Sequence, residues 1–537
     1  MSASATGLYG SDLALLGPTA AALARKGALK WAIAVTVSLA AMLEVVDTSI
    51  VNVALPDIQG NLGATLSEAG WVSTGYACAN VVIIPLSAWL SKRFGRKNYF
   101  LFSLIGFTVA SVFCGMAGSL SMLVISRVLQ GLAGGGLLAK AQSILFETFP
   151  PEEQAAAQGI GGVGIIVGPA LGPALGGYLT DTLGWRWIFF INVPVGIFAI
   201  LMGMTFLARD RKEELSRERV DWVGIGLMAV GLACFQTMLE EGQQHDWFSS
   251  RFIVTVAAGS AVGIGMFLWR ELSIDHPAVD LRTLRYRSLA AGSVYSLVMG
   301  MGTYGVIFAI PVFVQDFLHF TAMQSGLLQL PGAIAAGVIM LVMGKIAGRC
   351  DARVLVALGA LVTVGTALTL STINPNTGVN SLFWPLLFRS VGSVMMFLPL
   401  SMAALGSLPK EKIASGSGFY NLTRQLGGSI GIAVITTLLA RREAVHRAVL
   451  VERISYAQPA TLSRLSLFSA GFARHSMDPA LQHQETFKLI DAIINLQAAV
   501  KSYADIFMYV GLAFILTLPI LLLLDSGRKK LAGGEIH

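Results

Sequence analysis

Six ionisable residues of this 537-residue chain stand inside long apolar stretches: Glu44, Asp47, Arg127, Lys140, Arg389 and Arg424. A charge inside a bilayer core costs at least ~2–3 kcal/mol, so each is a candidate for proton transfer or polar recognition. Glu44 and Asp47 lie three positions apart, which on a helix sets both carboxylates on one face. At about 1.5 Å per residue, Asp47 in the first stretch and Arg127 in the fourth reach nearly the same depth and can pair. Burial keeps a proton on a carboxyl and a nearby arginine draws it off, so groups held between these influences suit proton exchange. The expectation is that Asp47, tuned by Arg127, exchanges a proton with the outer side. Glu44 then either touches substrate or shares that proton as half of a coupled pair. The plainer reading is a permanent Asp47–Arg127 salt bridge that fixes helix packing.

Lys140 lies about 9 Å from the inner end of its stretch. It either snorkels to the interface, pairs structurally, or faces a cavity where it selects anionic substrates or quiets Glu44. Arg389 either binds substrate or mirrors the role of Arg127. Arg424, with Asn421 and Gln425, reads as a polar contact between helices. Gln130, Tyr76, Asn80, Gln142, Gln236, Tyr304, Gln329 and Tyr420 are candidates for lining a substrate cavity, each equally readable as an interhelical hydrogen bond. Catalytic and metal chemistry find no support. His245, His276 and His319 stand alone, and no nucleophile–base pair or ligand cluster accompanies them. Gly159-x-Gly161-x-x-Gly164 matches a dinucleotide fingerprint and Gly134–Gly136 resembles a phosphate loop. Neither follows a strand and no Gly-Lys-Ser/Thr is present. An ion gradient, with no cofactor, is the expected energy source.

The elements that must position these residues are membrane spans. The chain is 54% apolar and only 13% charged, whereas a soluble domain carries about a quarter charged residues. Fourteen apolar stretches lie near 31–54, 70–90, 99–119, 121–146, 157–180, 187–208, 222–240, 252–271, 289–313, 325–345, 354–373, 382–405, 414–440 and 504–524. Each can cross a core about 30 Å thick. Continuous runs predict helices, since a barrel would show alternating strands of about ten residues. The four-residue spacing of Gly131/Gly135 and of Gly168, Gly172 and Gly176 lets helix backbones approach closely, and Pro169 and Pro173 permit a bend.

Basic residues set the orientation. Arg25, Lys26, Lys30, Lys92, Arg93, Arg96, Lys97, the 209–219 cluster, Arg282, Arg285, Lys410, Lys412 and Arg528–Lys530 fall on one side. The short loops on the other side hold Arg186 and Arg251 alone. Both termini are therefore expected in the cytoplasm, and the net charge of +7 reflects topology, with no nucleic-acid face. The tryptophans lie near span ends, as an interfacial belt requires. Residues 13–24 read as an interfacial or loosely ordered leader. Cys78, Cys114, Cys234 and Cys350 are too scattered for disulfides or metal ligands and read as core residues. The outer loop 441–503, with apolar positions at Leu481, Phe487, Ile490, Ile494 and Leu496, suggests short amphipathic helices on the outer membrane face.

Two halves echo each other, Arg127-Val-Leu-Gln130-Gly131 answering Arg389-Ser-Val-Gly392, which is the repeat plan of transporters. Four stretches then resemble the fourteen-helix drug:proton antiporters of the major facilitator superfamily, the EmrB/QacA group, and its EmrB branch in particular. They are Leu43–Pro56 in the first span, Ala88–Lys97 after the second, Arg127/Gln130/Gly131 in the fourth, and Gly159, Gly168, Gly172, Pro173 and Gly176 followed by Trp185–Pro194. The inner-loop motif departs from the usual pattern at Ala88 and Lys92, where Gly and Asp are customary, which puts the usual charge relay from that acid in question. Its Gly95, Arg96 and Lys97 fit.

The resemblance implies an all-α fold of two six-helix bundles plus two inserted helices. The division expected is 1–30 as a cytoplasmic segment, 31–208 as the first bundle, 209–288 as the insertion, 289–524 as the second bundle with loop 441–503, and 525–537 as a tail. It implies proton-driven efflux of hydrophobic drugs across the bacterial inner membrane. It also implies a periplasmic membrane-fusion adaptor and an outer-membrane channel as partners. Export of a native metabolite, fatty acid or siderophore is the alternative within the class; a non-transporting membrane sensor is the alternative outside it.

Overall fold

The computed structural model describes residues 18–25, 27–208, 210, 220–274, 277–375, 377–454, 458–473 and 478–524. Most of the leader, Lys26, the 209–219 cluster save Asp210, His276 and the tail with Arg528–Lys530 therefore lie outside the described residues. Among the described residues the chain is helical throughout and contains no strand. The first group comprises α1 (Pro18–Arg25), α2 (Leu29–Leu62), α3 (Leu66–Phe94), α4 (Arg96–Gly115), α5 (Leu120–Gly134), α6 (Leu137–Thr148), α7 (Gln154–Leu183), α8 (Trp187–Phe190) and α9 (Asn192–Phe206). Two helices follow, α10 (Trp222–Glu241) and α11 (Arg251–Ser273). The second group comprises α12 (Arg287–Leu318), α13 (Ala322–Ile346), α14 (Ala352–Leu370), α15 (Val379–Leu405), α16 (Lys410–Glu452), α17 (Pro459–Ala473) and α18 (Pro479–Thr517).

Thirteen segments are long and apolar enough to cross a membrane, with α5/α6 and α8/α9 each forming one of them. The fourteenth is α7, whose arms Gln154–Pro169 and Leu171–Leu183 meet at 48°. A proline there removes a backbone donor and clashes with the preceding turn, which accounts for the bend. Helix starts are written locally. Thr65 and Glu68 close a capping box on α3, Thr321 and Gln324 one on α13, and Ser119 and Asp351 cap α5 and α14.

The fourth span is broken where the sequence reads Gly134-Gly135-Gly136, so α6 begins afresh inside the membrane. Glycine pays the largest entropy cost in a helix and offers no side chain to pack. Close approach explains why it is tolerated. A Cβ on Gly131 would lie 2.6 Å from the Tyr76 carbonyl oxygen, and one on Gly135 2.8 Å from the Asn80 Cα. Small residues here let α3 and α5 touch backbone to backbone.

The first group packs α2 against α7, and the second packs α12 against α16 and α14 against α15. The groups meet mainly where α13 lies along α7 and α16 along α3 and α6. The inserted α10 lies over the last seam. Thr74 Oγ1 donates to Glu241 Oε1 (3.1 Å) on its α3 side, and Gln236 Nε2 donates to Ser429 Oγ (2.7 Å) on its α16 side.

Two expectations change. The segment after residue 440 holds one short helix, α17, between the ends of two long ones, because α16 runs on to Glu452 and α18 starts at Pro479. Forty-three residues make α16 roughly 65 Å long at 1.5 Å per residue, about twice a bilayer core. Polar pairs hold its extension against α18: Arg442 Nε and His446 Nε2 on Asp505 Oδ2 (2.6 and 2.8 Å), and Arg447 Nη2 on Asp491 Oδ1 (2.7 Å). Trp185 is also no belt residue; it is buried edge-on against Phe189.

Candidate functional site

Asp47 sits on α2 with no exposed surface, and Arg127 on α5 is 1% exposed. Arg127 Nη1 donates to Asp47 Oδ2 at 2.5 Å. The other oxygen accepts from Gln130 Nε2 (3.0 Å) and Asn192 Nδ2 (2.8 Å). Both amides also donate to Ser111 Oγ, at 3.2 and 3.1 Å, and Ser111 passes its own proton to the Phe189 carbonyl (3.0 Å). Arg127 is held from its remaining sides by the Val72 carbonyl, Gln130 Oε1 and the Tyr76 ring, 4.1 Å from the guanidinium carbon. Helices α5 and α9 thus supply these donors to the carboxylate of α2, and Ser111 of α4 holds both amides.

Glu44 has a separate set of partners. Asn80 Nδ2 donates to Oε1 (3.0 Å) and the Leu138 backbone N–H to Oε2 (2.8 Å). The glycine break explains the second bond. A helix that starts at Leu137 leaves its first N–H groups without intrahelical acceptors, and such an end draws a carboxylate in the membrane as it does in water.

Two cavities open near these networks. The larger, about 700 Å³, lies at the basic end and is lined by Ser87, Lys92, Lys140, Glu147, Lys410 and Glu411, among others. Lys140 does not snorkel and makes no salt bridge among the described residues. Its Nζ is buried, has no hydrogen-bond partner among the described residues, and stands 3.1 Å from the centroid of the Tyr99 ring. On the rim, Arg96 bridges Glu147 (2.6 Å) and Asp210 (2.9 Å), while the Lys97 backbone N–H donates to Asp210 (3.1 Å). These acids pair with Arg96 even though Lys92 stands where the motif usually has Asp. Gly95 is required here: its φ is +88° and a Cβ would lie 2.8 Å from Asp210 Oδ2. The smaller cavity, about 60 Å³, lies between α7, α12, α15 and α16 and holds Arg389, Arg424, Tyr304, Ile165, Ile166 and Phe397. Arg424 donates to Tyr304 Oη (3.1 Å) and to Asn421 Oδ1 (3.0 Å). The Arg389 guanidinium has no hydrogen-bond or ion-pair partner among the described residues.

The remaining candidates fall between helices. Gln142 Oε1 accepts from Asn421 Nδ2 (2.8 Å) and Ser417 Oγ (3.3 Å), which ties α6 to α16 across the two groups. Gly168, Gly172 and Gly176 lie along α2, where a Cβ on Gly172 would meet Ser49 Oγ at 1.9 Å, and Gly159 meets Gly344 of α13. Pro173 is one turn beyond the α7 bend. Tyr420 and Gln329 are buried and line neither cavity. Ser111 and Asn192 have no role legible from their spacing, although Asn192 lies within the Trp185–Pro194 stretch. Glu240 and Glu241 were hidden as well, since acids at the end of an apolar run read as a boundary. Among the described residues no group of His, Cys, Asp and Glu could hold a metal ion.

A buried acid–arginine pair lies inside one helical group, and a second group packs against the first along α7, α3 and α6. The Major Facilitator Superfamily profile matches residues 37–432, and the chain belongs to that family. It is 37% identical to the multidrug export protein EmrB of Escherichia coli (strain K12) over 79% of this chain and 83% of that one. It is 33% identical to the fatty acid resistance protein FarB of Neisseria gonorrhoeae over 95% and 98%. The fold resembles the crystal structure of the human organic anion transporter MFSD10, with a TM-score of 0.58 at 13% identity, covering 92% of this chain and 99% of that one. The chain is an EmrB-like transporter of the drug-efflux type, a multi-pass membrane protein.

Proposed function

We propose that the protein is a proton-driven exporter of hydrophobic toxic compounds in the bacterial inner membrane, with its basic end and both termini in the cytoplasm. The similarity to EmrB supports multidrug substrates, and the excess of Lys and Arg at one end supports the orientation. The observation that carries the reading is the sealed Asp47–Arg127 pair. A proton added to Asp47 cancels the charge that Arg127 answers, and an unpaired buried cation costs several kcal/mol. Protonation therefore favours a packing in which α2, α5 and α9 separate, and that change exposes substrate to the outside. Inward proton flow returns the pair to its present geometry.

The test is Asp47→Asn in liposomes under an imposed pH gradient. Wild-type protein should drive dye flux and the variant should lose at least ~90% of it, the scale of a missing obligatory proton carrier. Undiminished proton-coupled flux in the variant overturns the reading, and gradient-independent wild-type protein would favour a sensor. The outer arms of α16 and α18 are the surface proposed for a periplasmic adaptor joined to an outer-membrane channel. A second reading, export of a native fatty acid, is supported by the similarity to FarB along nearly the whole chain.

A further inference from the structure

Around the smaller cavity, positive charge stands without an acid in its lining. Asp47 is spent on Arg127, and Glu44 is tied to Asn80 and the start of α6. Among the described residues Arg389 is left with no partner, and the Nε of Arg424, a residue 4% exposed, is likewise unmatched. Both arginines line the same small cavity. A guanidinium buried without an acceptor is expensive unless something completes it, and its planar fork fits a carboxylate through two parallel hydrogen bonds. The cavity has room for a head group and little more. Its other walls, Ile165, Ile166, Ile307 and Phe397, are suited to the methylenes that follow.

We infer that this cavity binds the carboxylate head of a single-chain amphiphile, with Arg389 as its principal anchor and Arg424, steadied by Tyr304 and Asn421, as the second. Lys140 repeats the same sign in the larger cavity at the basic end, where its buried ammonium also lacks an acceptor among the described residues. The inference narrows the substrate class of the exporter proposed above and rests on that reading for the direction of travel, though not for binding.

The experiment uses the full chain in phosphatidylcholine nanodiscs with radiolabelled decanoate at neutral pH. Unlabelled decanoate should displace the label at concentrations about tenfold or more below those of decanol or decyltrimethylammonium, the selectivity of a charge-assisted pair. Arg389→Gln should collapse that ratio to roughly threefold or less, and Arg389→Lys, which keeps the charge and loses the fork, should retain part of it. Equal displacement by the three ligands overturns the inference from wild-type protein alone, as does a full ratio in Arg389→Gln. Adding phosphatidylglycerol should leave decanoate binding unchanged; its abolition would assign the site to a lipid phosphate and overturn the carboxylate. Gradient-driven flux of a neutral dye separates the two claims. Flux without carboxylate preference sinks only this inference, and carboxylate preference without flux sinks only the exporter.

Discussion

A carboxylate at Asp47 has three donors from two elements, and its chemistry follows from that saturation rather than from depth alone. Expecting it to pair with Arg127 needed only matched positions in two spans. Recognising Ser111 and Asn192 as the residues that close the network required their side chains to be seen. Polar pairs at the ends of spans behave differently, because water reaches them. Arg270 donates three hydrogen bonds to Asp221, at 2.8–3.0 Å, and this holds the Asp221 carboxyl below its ordinary value of 3.8. A depressed folded value means the stabilisation is complete above the unfolded value and is lost as pH falls through the folded one. The thermal midpoint of the wild type should therefore drop more steeply below pH ~4 than that of Asp221→Asn. Parallel curves for the two proteins would show the pair to be silent.

Helices here are placed by what they lack as much as by what they bury. The glycine run that breaks the fourth span creates a helix start for Glu44, and the flanking Gly131 and Gly135 let α3 close in. Replacing Gly131 with Leu should push α3 and α5 apart and cost about 1–3 kcal/mol, read as a lower midpoint in thermal or denaturant unfolding. Gly226 on α10 is the control. A Cβ there meets nothing within 4 Å, so Gly226→Ala should be neutral or raise stability by about 0.5–1 kcal/mol. If both substitutions act alike, close backbone approach is not what selects glycine at Gly131.

At the scale of the whole molecule, the two helical groups meet where α6 and α16 exchange hydrogen bonds, and α10 covers the neighbouring seam. Ser417 Oγ donates to the Ala139 carbonyl at 2.7 Å, so these backbones nearly touch. Cysteines placed at Ala139 and Ser417, in a chain with its four native cysteines replaced, should form a disulfide under mild oxidation. Flux should fall by about tenfold or more while the bond is intact and return on reduction, as expected when gating requires the groups to separate. Full transport by the cross-linked protein would rule out motion at this contact.

The linear chain by itself determined the membrane class, the number of spans and their order. Those properties follow from hydropathy and from a fixed rise per residue, both of which are local. Three things were decided only by tertiary structure: which acid each cation answers, which cations answer none, and how far α16 and α18 run beyond the bilayer. Each depends on neighbours brought together from distant parts of the sequence. Lys140 shows the difference most plainly. Its position allowed snorkelling, pairing or a cavity-facing role, and only the packing of Tyr99 beside it left the buried, unpaired arrangement.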